Sequence, residues 1–391
     1  MVISKQIFSK FALIGSDLDL KENVLISIDN KGRISNIEFN LSFRSLEKNQ
    51  GFIHHLVVPK FINSHTHIGD AALKDRAYNL SLDEAVGIEG IKYNVNNVIK
   101  KQRILAMRSA IIEMIQCGIS ACYDFREGGL KGINEIKEAS LNLPIDLHIL
   151  GRPSEDNTPT EIVSQCDGLG IPTPLIYSLE NLKNIASEIS SLNTLIATHI
   201  SENAEVIQKS INKFGFTDLQ VALRYLNPKI LIHLTALKAE DILDIPKSKF
   251  IVFCPRSNAY FGSGFPNVRY FLNKKYLIGL GTDNIMVMAP NILEELRWLI
   301  LRLKEENYSI NPIEALKMIT SNPSEAFGIQ TGCIKTGYWA DLLIIDLNSA
   351  RTRFGNDPIM TLLFRSQFPE DIHFNLYHGE KILNESRLFK M

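Results

Sequence analysis

The residues with the clearest chemical potential are two histidines two positions apart, His65 and His67, in the segment PKFINSHTHIGD. They follow an apolar run that predicts a β-strand. Residues two apart on a strand project to the same side, so both imidazoles would point toward one place at the strand's end. Single histidines are often polar surface or core residues, so the pair alone only suggests a metal site.

Three further residues strengthen this interpretation, because each follows a later apolar run. His199 lies in IATHISEN, His233 in LIHLTA and Asp283 in GLGTDN. An imidazole or carboxylate buried at such a place needs a partner, and a shared cation would provide one. Sets of three nitrogens and one oxygen suit Zn²⁺ or Fe²⁺ better than Mg²⁺ or Ca²⁺, which favour oxygen ligands. We therefore predict one divalent ion, with zinc preferred to iron.

A bound ion of this kind lowers the pKa of its water from about 15.7 to about 7, which supplies a nucleophile near neutral pH. Glu202 stands three residues after His199, in the loop or first turn beyond the strand. From there it can reach over the ion toward a substrate without being a ligand, as a proton shuttle must. The structural alternative is a glutamate that favours the N-terminus of a helix.

Two arginines also follow predicted strands. Arg152 in ILGRPS comes after the third strand and Arg256 in CPRSN after the seventh. Either could bind a carboxylate or phosphate in bidentate fashion. The alternative is an ion pair with a loop acid such as Asp124 or Glu127.

The elements that position these residues are eight apolar runs separated by segments of helical period. The runs are VVPKFI, ISACYDF, IDLHIL, GLGIP, TLIATHI, KILIHL, FIVFC and LIGLGTD. Eight strands alternating with helices predict an α/β fold of the TIM barrel class, here over residues 59–334, with its active site at the carboxyl ends of the strands. A doubly wound open sheet would normally carry fewer parallel strands and a Gly-rich phosphate loop, which we do not find.

The helices and the two chain ends complete the prediction. IKKQRILAMRSAIIEMIQCG has apolar residues at helical spacing and ends in Gly118, while PNILEELRWLILRLKEE starts with Pro290 near its first turn. Residues 1–58 and 335–391 are β-rich and predict one small discontinuous β-domain, since chain termini often lie close together. His148 precedes the end of its strand and is interpreted as a core histidine.

Composition limits the classes of partner. The 391 residues carry a net charge of −1, which gives no electrostatic reason to expect nucleic acid or an anionic membrane. No stretch of about 20 apolar residues occurs, and five widely spaced cysteines indicate reduced thiols in a cytoplasmic protein. We therefore predict a small-molecule substrate, no nucleic acid and no membrane, while a homo-oligomer stays open.

These residues together resemble the amidohydrolase superfamily, in particular its cytosine deaminase-like, chlorohydrolase-like and adenosylhomocysteine deaminase-like branch. The matching segments are PKFINSHTHIG, THISEN, IHLTAL, CPRSN, LGTDN and GCIKTGYWADLLIID. The resemblance implies a distorted (β/α)₈ barrel with a small β-sandwich formed by both chain ends. It further implies roles for six residues: metal ligation by His65, His67, His199 and Asp283, acid/base catalysis by Glu202, and orientation of water or substrate by His233.

The sequence also departs from the relatives' patterns. Two-metal relatives use a bridging carboxylate, often a carboxylated lysine, at the end of the fourth strand, and GLGIPTPLIY contains neither lysine nor acid. A single ion is therefore implied. Thr173 stands where many deaminases of this branch have a histidine that contacts substrate, which counts against purine-type recognition and makes Thr173 a substrate-binding candidate. Lys60 stands where many relatives have glycine, and we expect a local backbone adjustment there.

We accordingly predict a metal-dependent hydrolase of carbon–nitrogen bonds, namely a hydrolytic deaminase of an amino-substituted nitrogen heterocycle. Asp283 would accept a proton from the attacking water, His233 would orient it, and Glu202 would protonate the ring nitrogen. The same site could instead open a cyclic amide or displace chloride. A noncatalytic metal-binding barrel is disfavoured, since such a scaffold needs none of these three residues to fold. Residues 70–97 are candidates for a substrate cover.

Overall fold

The computed structural model describes residues 5–42, 52–87, 89–154, 156–192 and 194–382, and shows a mixed α/β fold. Its strands are β1 (Lys5–Ile14), β2 (Asp19–Ile28), β3 (Ile34–Glu38), β4 (Phe52–Pro59), β5 (Phe61–His67), β6 (Ile119–Arg126), β7 (Asp146–Gly151), β8 (Gly168–Ile171), β9 (Leu195–Ile200), β10 (Ile230–His233), β11 (Phe250–Phe253), β12 (Ile278–Leu280), β13 (Asp283–Asn284), β14 (Leu342–Asp346), β15 (Ile372–Tyr377) and β16 (Glu380–Lys381).

One parallel sheet of nine strand segments runs in the order β12-β11-β10-β9-β8-β7-β6-β5-β13. Only Gly281 and Thr282 separate β12 from β13. Because β12 pairs with β11 while β13 pairs with β5, this broken eighth strand touches both edges of the curled sheet. The arrangement is TIM-like, and it confirms the predicted α/β barrel class. Strands β8, β10 and β11 are buried along their whole length, as expected for parallel strands covered on both faces.

The helices up to Val268–Asn273 lie between the strands of this sheet in the chain, and those from Ile292 onward follow its last strand. They are Leu82–Val86, Lys100–Gln116, Gly129–Ser140, Pro159–Val163, Leu179–Ile189, Ala204–Phe214, Asp218–Val221, Ala239–Ile242, Pro255–Tyr260, Val268–Asn273, Ile292–Glu305, Pro312–Lys317, Ser321–Phe327 and Pro358–Phe364. The largest apolar cluster includes Ile111, Ile115, Leu296 and Leu299 from two of these helices and Leu231 and Ile251 from strands. The core therefore lies mainly between the strands and the surrounding helices. In the described residues, no helix has the length and apolarity needed to cross a bilayer.

Two local predictions need correction. Helix Ile292–Glu305 has Asn291 as its N-cap, with the side chain accepting hydrogen bonds from Leu293 N and Glu294 N. Pro290 consequently precedes the cap and does not lie in the first turn. The predicted first strand VVPKFI is split at Lys60 into β4 and β5. The side chain of Lys60 is fully buried there, and burial lowers the pKa of its ammonium group to about 8.

A second sheet combines strands from both ends of the chain. Its order is β16-β15-β14-β4-β1-β2-β3, so β4 from the first part of the chain pairs antiparallel with β14 from the last part. Since only Lys60 separates β4 from β5, this sheet is joined directly to the strand that carries His65 and His67. The β-rich segments at the two ends are thus brought into one sheet.

Closure of the parallel sheet generates a stability prediction. A methyl group at Gly281 would lie 2.6 Å from the Cβ of His65 and 2.8 Å from its carbonyl oxygen. Backbone at this contact cannot move without displacing β5, so we expect Gly281→Ala to lower the free energy of unfolding by about 1–3 kcal/mol and to reduce metal binding. Denaturant unfolding and metal analysis measure the two effects.

Gly215→Ala provides a matched control. No heavy atom lies within 4 Å of the added methyl group, although the φ of Gly215 is +76°. It should therefore cost only about 1 kcal/mol of backbone conformational energy and leave metal binding intact. A Gly281→Ala protein that binds metal like the wild type would contradict the predicted steric coupling to His65.

Candidate metal centre and catalytic cavity

Four candidate ligands converge at the carboxyl ends of the barrel strands. His65 and His67 end β5, His199 is the penultimate residue of β9, and Asp283 starts β13. One potential ligand atom from each residue lies within 4.8 Å of the corresponding atoms of the others. These residues are separated by up to 218 positions along the chain (283 − 65), so the curled sheet alone brings them together.

The distances between the ligand atoms provide a test of fit for an ion. His65 Nε2 lies 3.1 Å from His199 Nε2 and 3.2 Å from Asp283 Oδ1. His67 Nε2 lies 3.4 Å and 3.5 Å from the same two atoms. A tetrahedral shell with bonds of about 2.0–2.1 Å has ligand atoms about 3.3–3.4 Å apart. These four distances therefore agree with the spacing that an ion such as zinc requires, and all four atoms lie within 4.8 Å of one another.

Neighbouring groups hold the ligands in orientations suited to metal binding. His199 Nδ1–H donates to the carbonyl oxygen of Pro172 at 2.7 Å, which leaves the Nε2 lone pair for an ion. The Ser257 hydroxyl donates to Asp283 Oδ2 at 2.5 Å and so leaves Oδ1 facing the histidines. Such outer contacts fix the tautomer and orientation of metal ligands.

The surroundings favour the protonation states that bind cations for three of the four candidate ligands, His65, His199 and Asp283. It lowers the pKa of His65 to about 4, and burial together with the neighbouring imidazoles lowers the pKa of His199 well below its usual value. Burial opposes ionisation of Asp283, but the hydrogen bond from His65 and the nearby imidazoles lower its pKa well below the usual range. For His67, the carboxylate of Glu127 outweighs burial and raises the pKa. Neutral imidazole and ionised carboxylate are the forms that coordinate metal.

Groups suited to proton transfer lie beside the four ligands. His233 Nδ1–H donates to Asn258 Oδ1 at 2.9 Å, while Asn258 Nδ2 donates to Thr235 Oγ1 at 3.0 Å. This leaves His233 Nε2 facing Glu202, whose Oε1 is 3.7 Å away. Polar atoms of Glu202, His233 and Asp283 all lie within 4.8 Å of one another. Burial raises the pKa of the Glu202 carboxyl, which favours its carrying a proton.

An aromatic wall closes the site on the side of β8. The ring of Phe125 lies 4.7 Å from the ring of His65, 5.7 Å from that of His67 and 4.9 Å from that of His199, centre to centre. A Cβ at Gly170 in β8 would be only 2.9 Å from Phe125 Cδ1. The space beside the histidines toward the fourth barrel strand is therefore filled by a side chain that cannot ligate an ion.

A cavity of about 760 Å³ opens above these groups. His67, His199, Glu202, His233 and Asp283 line its base, and residues between positions 82 and 93 form much of its wall. The latter belong to the segment 70–97 that the sequence suggested as a cover. A cavity of this size suits a small molecule.

The three predicted substrate contacts have different positions. Arg152 lines the cavity and places Nη2 3.0 Å from Glu127 Oε1; Thr173 also lines it. Arg256 is absent from the lining that the described residues form, because its Nη1 faces Glu295 Oε1 at 3.4 Å. Its backbone N–H also donates to Glu295 Oε2. The structure thus supports the ion-pair alternative for Arg256 and does not bring it to the cavity.

Sequence reasoning missed several functional contacts. Ser257 and Asn258 directly follow Arg256 in CPRSN, and their position after a strand was an available signal. Glu127 was considered only as a partner for an arginine, yet its Oε1 also lies 3.4 Å from His67 Nδ1. Lys92, whose Nζ lies 3.5 Å from the same Glu127 oxygen, had no comparable signal because it lies in the irregular cover segment.

Comparisons with known proteins agree with this geometry. A family model described as the amidohydrolase family matches residues 56–372. A Methanothermobacter thermautotrophicus protein with an aminohydrolase name is 30% identical over 328 residues, or 80% of this chain and 83% of that protein. A 5-methylthioadenosine/S-adenosylhomocysteine deaminase of Pyrococcus furiosus is 28% identical over 355 residues, or 84% of each. The zinc complex of atrazine chlorohydrolase from Arthrobacter aurescens TC1 superposes with a TM-score of 0.81, 18% identity and 98% coverage of both chains.

The convergence of the ligands predicts the effect of removing one imidazole. His65→Ala or His199→Ala should weaken Zn²⁺ binding by roughly a hundredfold or more and abolish the increase in melting temperature that added Zn²⁺ gives through preferential binding to the folded state. Metal titration and thermal unfolding with and without a chelator provide the measurements.

His148→Ala serves as the control histidine. Its ring stacks on Tyr123 at 4.5 Å, and its Nδ1 faces Asp167 at 3.4 Å. We expect this variant to retain metal binding. Full zinc affinity in His65→Ala and His199→Ala would contradict the four-residue site.

Proposed function

The chain belongs to the amidohydrolase family, and on this premise we propose that it is a hydrolytic deaminase of an amino-substituted nitrogen heterocycle. The observation that carries the proposal is the position of Glu202, His233 and Asp283, whose polar atoms lie within 4.8 Å of one another beside the ligand set. A relative named as a deaminase matches most of this chain in sequence. The likeness to a chlorohydrolase at 18% identity is one of fold alone.

We propose that His65, His67, His199 and Asp283 hold one divalent ion, with zinc preferred to iron. Three nitrogens and one oxygen at tetrahedral spacing support this choice. When bound, such an ion lowers the pKa of water and so favours a nucleophile near neutral pH. The Phe125 ring and the absence of a lysine or acid in GLGIPTPLIY support a single ion.

The side chains divide the proton transfers among them. Asn258 orients the His233 ring, so that Nε2 can accept a hydrogen bond from water and direct its oxygen at the ring carbon that bears the amine. Asp283 accepts a proton from that water. Glu202, whose pKa burial raises, donates a proton to the adjacent ring nitrogen.

The products follow from the balance of the reaction. Water adds to the carbon and the exocyclic carbon–nitrogen bond breaks. The amine takes up the proton that Asp283 received and leaves as ammonia. Glu202 recovers a proton from the new hydroxyl group, so the product is a ring carbonyl and the carboxyl group is restored.

We propose that two of the cations that line the cavity, Arg152 and Lys92, bind an acidic substituent of the substrate. Arg152 Nη2 and Lys92 Nζ both face the same oxygen of Glu127, at 3.0 Å and 3.5 Å. A carboxylate or phosphate on the substrate would compete with Glu127 for these two cations and bind them through charged hydrogen bonds. We propose Arg152 and Thr173 as substrate-binding residues and leave Arg256 out of this set, because it faces Glu295.

The division of the chain into domains is part of the same proposal. We propose that residues 59–334 form the catalytic (β/α)₈ barrel, distorted at its broken eighth strand, and that residues 1–58 and 335–391 form a small β-sandwich, of which residues 1–4, 43–51 and 383–391 lie outside the described residues. The shared seven-stranded sheet supports this division. The five cysteine thiols are free, which supports a cytoplasmic enzyme with a small-molecule substrate. A homo-oligomer remains part of the hypothesis.

A substrate screen tests the reaction class. Zinc-loaded enzyme should release ammonia from at least one member of a panel of pterins, pyrimidines, purine derivatives and aminotriazines, each tried with and without a carboxylate or phosphate substituent. The cavity cations predict a preference for the anionic member of each pair. Ring opening or chloride release without ammonia would contradict deamination and identify the corresponding alternative hydrolase.

The proton-shuttle role of Glu202 gives a direct mutational prediction. Glu202→Gln should lower kcat by roughly 10²–10⁴-fold, because the amide cannot donate and recover the proton, while the bound zinc stays near one ion per chain. Steady-state ammonia release and metal analysis measure these effects on the same preparation. Wild-type turnover in Glu202→Gln would exclude the shuttle.

A further inference from the structure

The turn that follows β9 has an unusual backbone conformation. Ser201, the residue between the end of β9 and Glu202, has a φ of +47°. A residue with a Cβ pays roughly 1–2 kcal/mol for the left-handed region, so such a conformation persists only where the surroundings hold it. The direction of the chain at Ser201 decides where the next side chain, Glu202, points.

Asp218 supplies the contacts that hold this turn. Its Oδ2 accepts a hydrogen bond from Ser201 N–H at 2.5 Å, and its Oδ1 accepts one from the Ser201 hydroxyl at 2.7 Å. Both residues are fully buried. On the other side of the turn, the carbonyl oxygen of Ser201 accepts from Ala236 N–H at 2.9 Å. Ser201 is therefore held through its amide, its hydroxyl and its carbonyl group.

The carboxylate of Asp218 is available for this task because another residue caps its helix. Asp218 is the first residue of helix Asp218–Val221, and the Thr217 side chain accepts from Gln220 N–H as the N-cap. Asp218 is absent from the cavity lining that the described residues form, so we expect it to affect the substrate only through other residues. Glu202, by contrast, lines the cavity.

We propose that Asp218 is a positioning residue that fixes the left-handed turn at Ser201 and thereby aims the Glu202 carboxyl at the cavity and His233. The proposal rests on the proposed catalytic function of Glu202. A purely structural Asp218 would affect stability alone, whereas a positioning residue affects the step that Glu202 performs. The two roles make different predictions for kcat.

Asp218→Asn is the main test in the zinc-loaded enzyme. The amide oxygen can still accept from Ser201 N–H, but the amide NH₂ must then donate to the Ser201 hydroxyl, which reverses that bond and removes the charge that strengthens both contacts. We expect kcat to fall roughly ten- to hundredfold, as a displacement of about 1 Å can produce, with KM and bound zinc changed by less than about twofold. Wild-type kcat, or zinc loss in proportion to activity, would overturn the proposal.

Two further variants separate positioning from folding. Ser201→Ala removes only the hydroxyl bond and should lower kcat in the same direction by a smaller factor, which keeps the test valid if Asp218→Asn fails to fold. Asp371→Asn is the matched control, because Asp371 is another fully buried aspartate that accepts from Arg351 and Gln367 N–H in a distant part of the fold. It should lower the melting temperature and leave kcat unchanged. An equal loss of kcat in Asp371→Asn would assign both effects to general destabilisation.

A double-mutant cycle and a crystal structure test the route through Glu202. In the Glu202→Gln background, Asp218→Asn should change the residual rate by less than about twofold, since non-additivity marks residues that act together; multiplicative losses would overturn the proposal.

In a crystal structure of Asp218→Asn, Glu202 should move away from His233 Nε2, which lies 3.7 Å from Glu202 Oε1 in the wild type. An unmoved Glu202 would overturn the positioning role. Full activity of Glu202→Gln would instead contradict the proposed function.

Discussion

The site depends on the close approach of four electron-rich atoms that repel one another unless a cation lies between them. Three imidazole nitrogens and a carboxylate oxygen lie within 4.8 Å of one another, with four of their distances between 3.1 and 3.5 Å. Burial lowers the pKa of His65 and His199, so these two imidazoles carry no positive charge at neutral pH that would offset the repulsion. Only a rigid backbone can hold these atoms so close together. The eighth barrel strand provides it, because the strand is interrupted at Gly281 and Thr282 and its second segment, β13, pairs with β5.

The same frame connects ion binding to proton transfer through two adjacent residues. Ser257 donates to Asp283 and Asn258 accepts from His233, at 2.5 Å and 2.9 Å. Both lie in helix Pro255–Tyr260, whose N-terminal proline has a φ suited to the first turn. A shift of this single helical turn would move Asp283, the proposed metal ligand, and His233, the proposed water-orienting residue, together. The positions of the Asp283 carboxylate and the His233 imidazole therefore both depend on helix Pro255–Tyr260.

The strand ends were predictable because the relevant signal is local. An apolar run followed by His199 or Asp283 predicts both a strand and the position of the polar side chain at its carboxyl end. Arg256 shows the limit of that rule, since it follows β11 equally closely but turns toward Glu295 on the distant helix Ile292–Glu305. Likewise, the pairing of Lys92 with Glu127 joins the cover segment to the end of β6. The spacing of apolar residues in these segments predicts neither the Arg256–Glu295 contact nor the Lys92–Glu127 contact.

The carboxylate of Glu127 connects the segment 70–97 with the candidate metal ligand His67. Glu127 Oε1 faces Lys92 from the cover, Arg152 from the loop after β7 and Nδ1 of His67. The charge on Glu127 raises the pKa of His67, while the two cations lower the pKa of Glu127 itself. An anionic substrate group that drew Lys92 or Arg152 toward itself would leave more of the Glu127 charge to His67 and strengthen that imidazole as a donor to the ion. The proposed substrate contacts and the proposed metal ligand His67 would therefore be linked electrostatically through Glu127.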